Sequence, residues 1–503
     1  MASVNKQSLR EEFTALKERF GKLSSDGKVG AESRALIEAL LMLLSVLMAV
    51  FMEKNTSKTS ANSSKPSSRT EKDQSALSHA GTHTKGKVYD PSRSGNTRTV
   101  ETVAVSKVSA CEECGEDLRG VRPEGHERRT QIDIVFEKVL SHVDAEVKSC
   151  PHCGSETRAP FPEAFSGPLQ YGSGIKAYAL NLAVAQMISL KRVQHSIQTL
   201  IGQVISEATI LKYVLQLNLA LERWERLAIE RILTQPAMHV DETSIRVEKH
   251  NHWIHVCSAG DITLKFVHEK RGLEAMAAIG IIPRYGGVIV HDCWASYLSY
   301  AHCRHGLCGA HLLRELTFIV EANGYAWAKN MKRLLQHTCA RVSKRKRKRL
   351  APREYDALQQ HYRNILTRGE RELPPIPAKQ NGKRGRVAKS DAHNLWERLK
   401  EHETAVLLFA RDSNVPFTNN RAERDLRMRK VKQKVSGCFR EAEFAQAYCR
   451  ISSYLRTMAN QGYNPLVAIQ MVLSGQLYAA TGRVVTAQDS SGRAADRGCH
   501  SHR

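Results

Sequence analysis

The run AMHVDETSIRV at 237–247 decides how this chain is read, together with HWIHVC at 252–257, TLKFV at 263–267 and GVIVHD at 287–292. The first three are short, rich in β-branched and aromatic residues, and closely spaced, as in an antiparallel meander. A helical stretch at 273–280 then leads to Val288, Ile289 and Val290, apolar on both faces, the mark of a central strand covered by helices. Two carboxylates occupy comparable places in this pattern, Asp241 within the first strand and Asp292 at the end of the buried one. A carboxylate on a buried strand is costly unless it is paired or bound to metal.

Three antiparallel strands, a helix and a parallel central strand follow the order of a ribonuclease-H-like core, in which the first and fourth strands are neighbours. Asp241 and Asp292 would then face one another. Mg²⁺ (or Mn²⁺) suits them, being a hard cation held by one or two carboxylates plus substrate phosphate. A third acid lies 131 positions beyond Asp292, in NNRAERDLRMRKVKQK at 419–434. This stretch reads as a helix that Asn419 or Asn420 can cap. Glu423, Arg427, Lys430 and Lys434 fall four, three and four apart and share one face. Between 421 and 440 eight Lys+Arg stand against two Asp+Glu. Two readings fit: Glu423 as a metal ligand whose neighbours grip a phosphate backbone, or a solvated helix with ion pairs such as Glu423–Arg427.

Composition narrows the partners. At 503 residues the chain exceeds one compact core, so two to four domains are expected. Seventy-five Lys+Arg against 51 Asp+Glu leave a net charge of +24. Such an excess serves a polyanion, most simply nucleic acid, and would be wasted on a small-molecule enzyme. The twelve cysteines do not form a disulfide scaffold; they include two CxxC pairs, CEEC at 111–114 and CPHC at 150–153, with 35 residues between. Cys111, Cys114, Cys150 and Cys153 would complete a tetrahedral, structural Zn²⁺ site, four protein ligands leaving no open position. Buried cysteines or a redox pair are the alternative. Ile132, Ile134 and Phe136 alternate between the knuckles as ribbon strands would. The polar opening is no secretory signal, and the apolar run at 39–52 holds 14 residues against the roughly 20 a span needs. A cytoplasmic protein off the membrane is the expectation.

Other segments fill in the plan. Leu9, Phe13, Leu16, Phe20 and Leu23, then Leu36, Leu40, Leu43, Leu47 and Val50, hold a/d-type spacings. They predict two amphipathic helices that pair with each other, with another subunit, or with the body of the protein. A break at Gly202 and a capping Ser206 give the outline of a helix-turn-helix with its second helix starting near Glu207, or else a plain helical hairpin. Lys344, Arg345, Lys346, Arg347, Lys348 and Arg349 form six consecutive cations, either solvated or lying on DNA phosphate. In CGAHLLREL at 308–316, Arg314 either contacts DNA or pairs with an acid such as Glu315. Cys303, His305, Cys308 and His311 are close enough in sequence to raise the question of a second metal site.

VDETSIRV, FVHEKRGLEAM, GIIPRYGGVIVHDCWASY, CGAHLLREL and TNNRAERDLRMRKVKQKVSGCFR closely resemble, in this order, passages of transposases of the insertion-sequence-66 family. EVKSCPHCG, FPEAFSGPLQYG, ISEATI and the linker SANSSKPSS resemble that family's upstream regions, so the likeness runs from about 9 to 476. It implies a DDE transposase whose triad is Asp241, Asp292 and Glu423, acting on DNA by metal-dependent strand cleavage and strand transfer. A nucleoid-associated bacterial protein that forms a homo-oligomer is the further expectation, and whether accessory proteins encoded by the same element take part stays open. The expected plan is multi-domain α+β. It comprises a helical coiled-coil segment at 1–52, a linker at 53–110, a Cys₄ zinc ribbon at 111–165 and a helical DNA-binding region at 166–235. A ribonuclease-H-like catalytic domain at 236–476, with a helical insertion at about 303–415, and a tail at 477–503 complete it. Two other functions share these features: a ribonuclease-H-like nuclease without strand transfer, and a non-catalytic zinc and helix-turn-helix regulator.

Overall fold

The computed structural model describes residues 6–59, 62–63, 103–132, 134, 136–163, 165, 167–376, 389–478 and 484–485. Most of the expected linker at 53–110 and of the expected tail at 477–503 lies outside them. The protein is a mixed α and β chain that divides into two compact units, one of 1–84, 228–245 and 251–427, the other of 85–227, 246–250 and 428–503.

A five-stranded mixed sheet organises the first unit. Its strands are β1 (Ala237–Val247), β2 (His250–Ala259), β3 (Ile262–His268), β4 (Val288–His291) and β5 (Arg304–Leu307), in the spatial order β3-β2-β1-β4-β5. Glu248 and Lys249 turn the chain from β1 into β2 with φ of 51° and 67°, the paired left-handed conformation a two-residue hairpin turn requires. β2 and β3 pair antiparallel. β1 runs parallel to β4, with Ala237, Met238 and His239 opposite Val288, Ile289 and Val290. All four residues of β4 are buried, as its unbroken apolar run predicts.

β5 lies at the start of the stretch expected as a helical insertion at about 303–415. Residues 304–307 pair parallel to β4, so the excursion begins only after them. RHGL carries no strand pattern of its own; a four-residue edge formed by pairing leaves no periodicity to read. Five helices follow among the described residues: Gly309–Asn323, Ala326–Lys344, Pro352–Glu372, Asp391–Glu401 and Glu403–Arg411. They bury Leu316, Trp327, Leu335, Tyr362, Leu399 and Leu407 almost completely. The Tyr362 hydroxyl donates to the Leu399 carbonyl at 2.8 Å and the Trp396 indole to the Leu366 carbonyl at 2.9 Å, so both aromatic anchors are also satisfied. The chain returns to the sheet at Phe417, whose carbonyl accepts from Gly309 N at 2.7 Å. A Cβ on Gly309 would fall 2.2 Å from the Phe417 ring, so this close approach requires glycine.

The N-terminal helices are Lys6–Ser25 and Ala31–Lys54. The stripe expected as a seam is turned outward: Leu36, Leu40, Leu43 and Leu47 are each more than half exposed. Leu41, Ser45, Ala49 and Met52 are buried instead, where this helix meets Gly309–Asn323. The Glu53 carboxylate takes the backbone N–H of Asp391 at 2.6 Å and of Ala392 at 3.0 Å, capping the Asp391–Glu401 helix. At 24 residues this second helix is longer than its uncharged run, and by length and composition it is apolar enough to cross a membrane.

In the second unit both CxxC pairs form the same knuckle. Gly115 N bonds to the Cys111 carbonyl and Gly154 N to that of Cys150, with φ of 78° and 72° at the two glycines. Strands Val147–Ser149 and Glu156–Arg158 pair antiparallel across the second knuckle. The expected strands nearer Ile132 and Phe136 are absent among the described residues, and those side chains stand exposed, with no opposing strand to pack on. Helix Leu190–Ile201 ends at Gly202, and helix Glu207–Ala220 starts with Ser206 Oγ accepting from Thr209 N. Glu207–Ala220 packs on Ala442–Asn460, where Arg450 bonds Glu225 at 2.9 Å and Asn218 Oδ1 at 2.8 Å.

Burial moves two histidines of the sheet far below the usual value. His255 is pushed from 6.5 to about 4 and His291 to about 3, burial being the main cause for each. Because the folded pKa lies below the unfolded one, the unfolded chain takes up protons first as pH falls. Stability is therefore complete above pH 6.5 and is lost progressively below it, by up to about 3 kcal/mol for His255 alone at pH 4. Thermal unfolding followed between pH 7 and pH 4 should show this fall, reduced in His255→Gln.

Candidate active site

Asp241 stands two residues beyond the paired part of β1, and Asp292 directly follows β4, so the parallel pairing sets the two acids side by side. Asp241 Oδ1 accepts from Glu242 N at 2.9 Å. Its carboxyl is raised well above the ordinary carboxylate value, first by burial, then by the negative charges of Glu242, Asp292 and Glu423. Acids from three distant segments thus share one field. Asp292 is aimed by a bent turn. Cys293 adopts a φ of 73°, rare for a non-glycine residue, while its N–H bonds His291 Nδ1 and Trp294 N bonds Asp292 Oδ1 at 3.2 Å.

Glu423 belongs to the first turn of helix Asn420–Ser436. Two buried polar residues fix that turn. Asn419 Nδ2 donates to the Val240 carbonyl at 2.8 Å, Asn419 Oδ1 lies 2.9 Å from His239 Nδ1, and Asn419 N donates to Cys308 Sγ at 3.1 Å. One side chain and its amide therefore tie the helix start to β1 beside Asp241 and to the start of helix Gly309–Asn323. Asp425 accepts from Ser258 Oγ on β2 and Thr263 Oγ1 on β3, each at 2.8 Å. With Ala422, Asp425 and Leu426 turned inward, Glu423 faces the strand acids.

The sequence reading missed a fourth acid. Glu242 has a side chain only 1% exposed, takes Arg271 Nη2 at 2.6 Å and Nε at 2.9 Å, and accepts from the Tyr297 hydroxyl at 2.5 Å. The Arg271 guanidinium lies 4.8 Å from the Trp253 ring centre and 4.3 Å from that of Trp294. Burial still raises the Glu242 carboxyl. The only sequence signal was the second acid in VDE, which looks like a surface partner of Asp241 until the fold buries it.

The remaining expectations divide. Cys303, His305, Cys308 and His311 do not gather: Cys303 Sγ donates to the Tyr285 carbonyl, and His305 Nδ1 lies 3.1 Å from His291 Nε2. Cys308 and His311 instead join Glu423, with all three ligand atoms within 4.8 Å of one another. Glu315 is bound to Arg398, not to Arg314, whose buried Nε has no hydrogen-bond partner among the described residues. Arg427, Lys430, Lys434, Lys344, Lys346, Arg347, Lys348 and Arg349 are exposed. Arg345 differs from its neighbours, since Glu354 takes its Nη1 at 2.7 Å. The thiols of Cys111 and Cys114, and of Cys150 and Cys153, bond within their own knuckles, and the four do not converge on one point. Hydrogen bonds from Ser155 are the first cause that lowers the Cys153 thiol from 9 to about 7, toward the thiolate that binds metal.

Arg271→Ala should expose the cost of the buried Glu242. The variant should unfold at lower denaturant, by about 2 kcal/mol, a figure reduced for the partial exposure of Arg271. Chemical denaturation followed by Trp fluorescence measures it, and Arg271→Ala combined with Glu242→Gln should recover much of the loss.

No curated protein matches this chain. A family model described as Transposase IS66 family matches residues 168–447, from the helices before the sheet through the whole of the acid-bearing core and helix Asn420–Ser436. That match takes in more than half of the chain, and the chain belongs to the IS66 family of transposases.

Proposed function

We propose that this protein is a DDE transposase that binds the ends of its element and carries out strand cleavage and strand transfer with Asp241, Asp292 and Glu423. Membership of a transposase family makes DNA the partner and implies use of a divalent metal. The observation that carries the finer reading is geometric: β1 pairs parallel to β4, which brings Asp241 and Asp292 together, and Asn419 ties the start of the Glu423 helix, 131 positions beyond Asp292, to the Val240 carbonyl beside them. Burial and the charges of Glu242, Asp292 and Glu423 hold the Asp241 carboxyl high, and a divalent cation would relieve that crowding. The strand order β3-β2-β1-β4-β5 supports a ribonuclease-H-like core.

The oxygen donor set fits Mg²⁺ or Mn²⁺. Bound there, the ion would polarise the scissile phosphate and lower the pKa of the attacking water or hydroxyl. Asp241 and Asp292 would hold it from the sheet, and Glu423 would complete the set from the helix, its direction kept by Asn419 and Asp425. Arg427, Lys430 and Lys434 continue along the Glu423 helix and would take phosphates of the DNA backbone. Lys344, Lys346, Arg347, Lys348 and Arg349 supply a second cationic patch, from which the Glu354 pair withdraws Arg345. Arg314, half-buried near His311, would be a further phosphate contact.

In this reading, zinc draws Cys111, Cys114, Cys150 and Cys153 together into an architectural module beside the helix-turn-helix-like pair at 190–220. The outward leucines of Ala31–Lys54 form the seam with a second copy of the chain, and the protein works at the nucleoid.

The deciding experiment incubates DNA flanking the gene with a target plasmid and Mg²⁺, comparing wild type with Asp292→Asn and Glu423→Gln. Joined products from wild type alone are expected, with both variants at least 1,000-fold less active yet still binding DNA. Cleavage without joining would make the protein a nuclease, and activity in Glu423→Gln would remove that residue from the site. In a separate test, Cys111→Ser or Cys153→Ser should lose one zinc per chain and bind terminal DNA more weakly. A folded, zinc-depleted variant with unchanged binding would assign the knuckles another purpose.

A further inference from the structure

Helix Gly309–Asn323 begins with Cys308 as its capping residue and His311 on its third helical position. Cap and third positions project toward each other at the mouth of a helix, so CxxH at this point offers a thiol and an imidazole to one place. Helix Asn420–Ser436 brings Glu423 to the same place. His311 Nδ1 and Glu423 Oε1 are both buried and neither has a hydrogen-bond partner among the described residues. They stand 3.6 Å apart, beyond hydrogen-bond reach, so no shared proton links them. The Cys308 thiol is buried behind them and receives the Asn419 N–H, the kind of outer contact that supports a metal-bound thiolate.

We propose that Cys308, His311 and Glu423 form a second cation site, specific for a borderline-soft ion of the Zn²⁺ type, distinct from the oxygen site of the three acids. The ligand chemistry makes the distinction: Mg²⁺ takes hard oxygen donors, whereas one thiolate, one imidazole and one carboxylate are a zinc set. Tetrahedral zinc spaces such atoms roughly 3.3–3.6 Å apart, given its bond lengths of about 2.0–2.3 Å. The observed spread of up to 4.8 Å closes with small side-chain rotations. Three protein ligands leave the fourth position to water. Glu423 is common to both sites, so zinc binding draws this carboxylate away from the strand acids. That consequence rests on the catalytic reading above, whereas the site itself does not.

The test uses the full-length protein, stripped of metal and reloaded with Zn²⁺, with zinc per chain measured after removal of the excess. Wild type should hold one more zinc than Cys308→Ser or His311→Ala, with the knuckles contributing equally to all three. Serine is a favoured residue at a helix N-cap, so Cys308→Ser should fold, which circular dichroism checks. Co²⁺ used as an optical probe should give wild type a stronger thiolate charge-transfer band than Cys308→Ser. Equal zinc counts and matching cobalt spectra in the folded variants would overturn the proposal. In the plasmid assay, Zn²⁺ beyond knuckle saturation should lower Mg²⁺-dependent cleavage by wild type at least 10-fold and that of Cys308→Ser much less, each against its own rate with only the knuckles filled. Wild-type cleavage indifferent to zinc would overturn the sharing of Glu423. If no protein cleaves at all, the catalytic reading fails, and the metal counts still decide the site.

Discussion

The hydrogen bonds of Asn419 hold the candidate site together. The chain leaves the sheet after β5, builds five helices, and must return with Glu423 aligned to acids that lie far behind it in sequence. Asn419 fixes that return through the Val240 carbonyl, His239 and Cys308, all buried. A buried amide satisfied on both of its atoms tolerates little displacement, because moving it leaves polar groups without water or partner. Gly309 against Phe417 secures the same junction by steric fit. Backbone packing and one polar side chain together make three remote acids neighbours.

The electrostatics follow from that geometry. Asp241 is raised by burial and by three surrounding acids, and Glu242 is raised in spite of Arg271 and Tyr297. A fold selected for stability alone has little reason to collect carboxylates in a buried place, since each ionised group there must be compensated. The two strand acids also differ in their support. Glu242 is locked by partners on two sides, whereas Asp241, among the described residues, keeps only the N–H of its neighbour, which leaves its carboxylate available to a ligand.

Much of this was legible in the sequence. The Val-Ile-Val run gave β4, the spacing of 237–267 gave the meander, and the polar caps gave the start of helix Glu207–Ala220. Each signal is local, arising from periodicity or from a cap within a few residues. What escaped was set by partners distant in the chain. β5 exists only through its pairing to β4. The N-terminal leucine seam looks like a core stripe, yet the helix turns Leu41, Ser45, Ala49 and Met52 inward. Arg345 reads as one of six equivalent cations until Glu354 claims it.

Sequence by itself determined the inventory: a large positive charge, two cysteine knuckles, strand acids at Asp241 and Asp292, and a basic helix headed by Glu423. Residue type and short-range spacing suffice for these, because charge, thiol pairs and helical faces are properties of neighbours. Only the tertiary structure decided which groups meet. It joined Cys308 and His311 to Glu423 while sending Cys303 and His305 elsewhere, and it gave Glu242 to Arg271 and Glu315 to Arg398. Such pairings depend on where helices return to the sheet, a long-range packing outcome that no local pattern encodes.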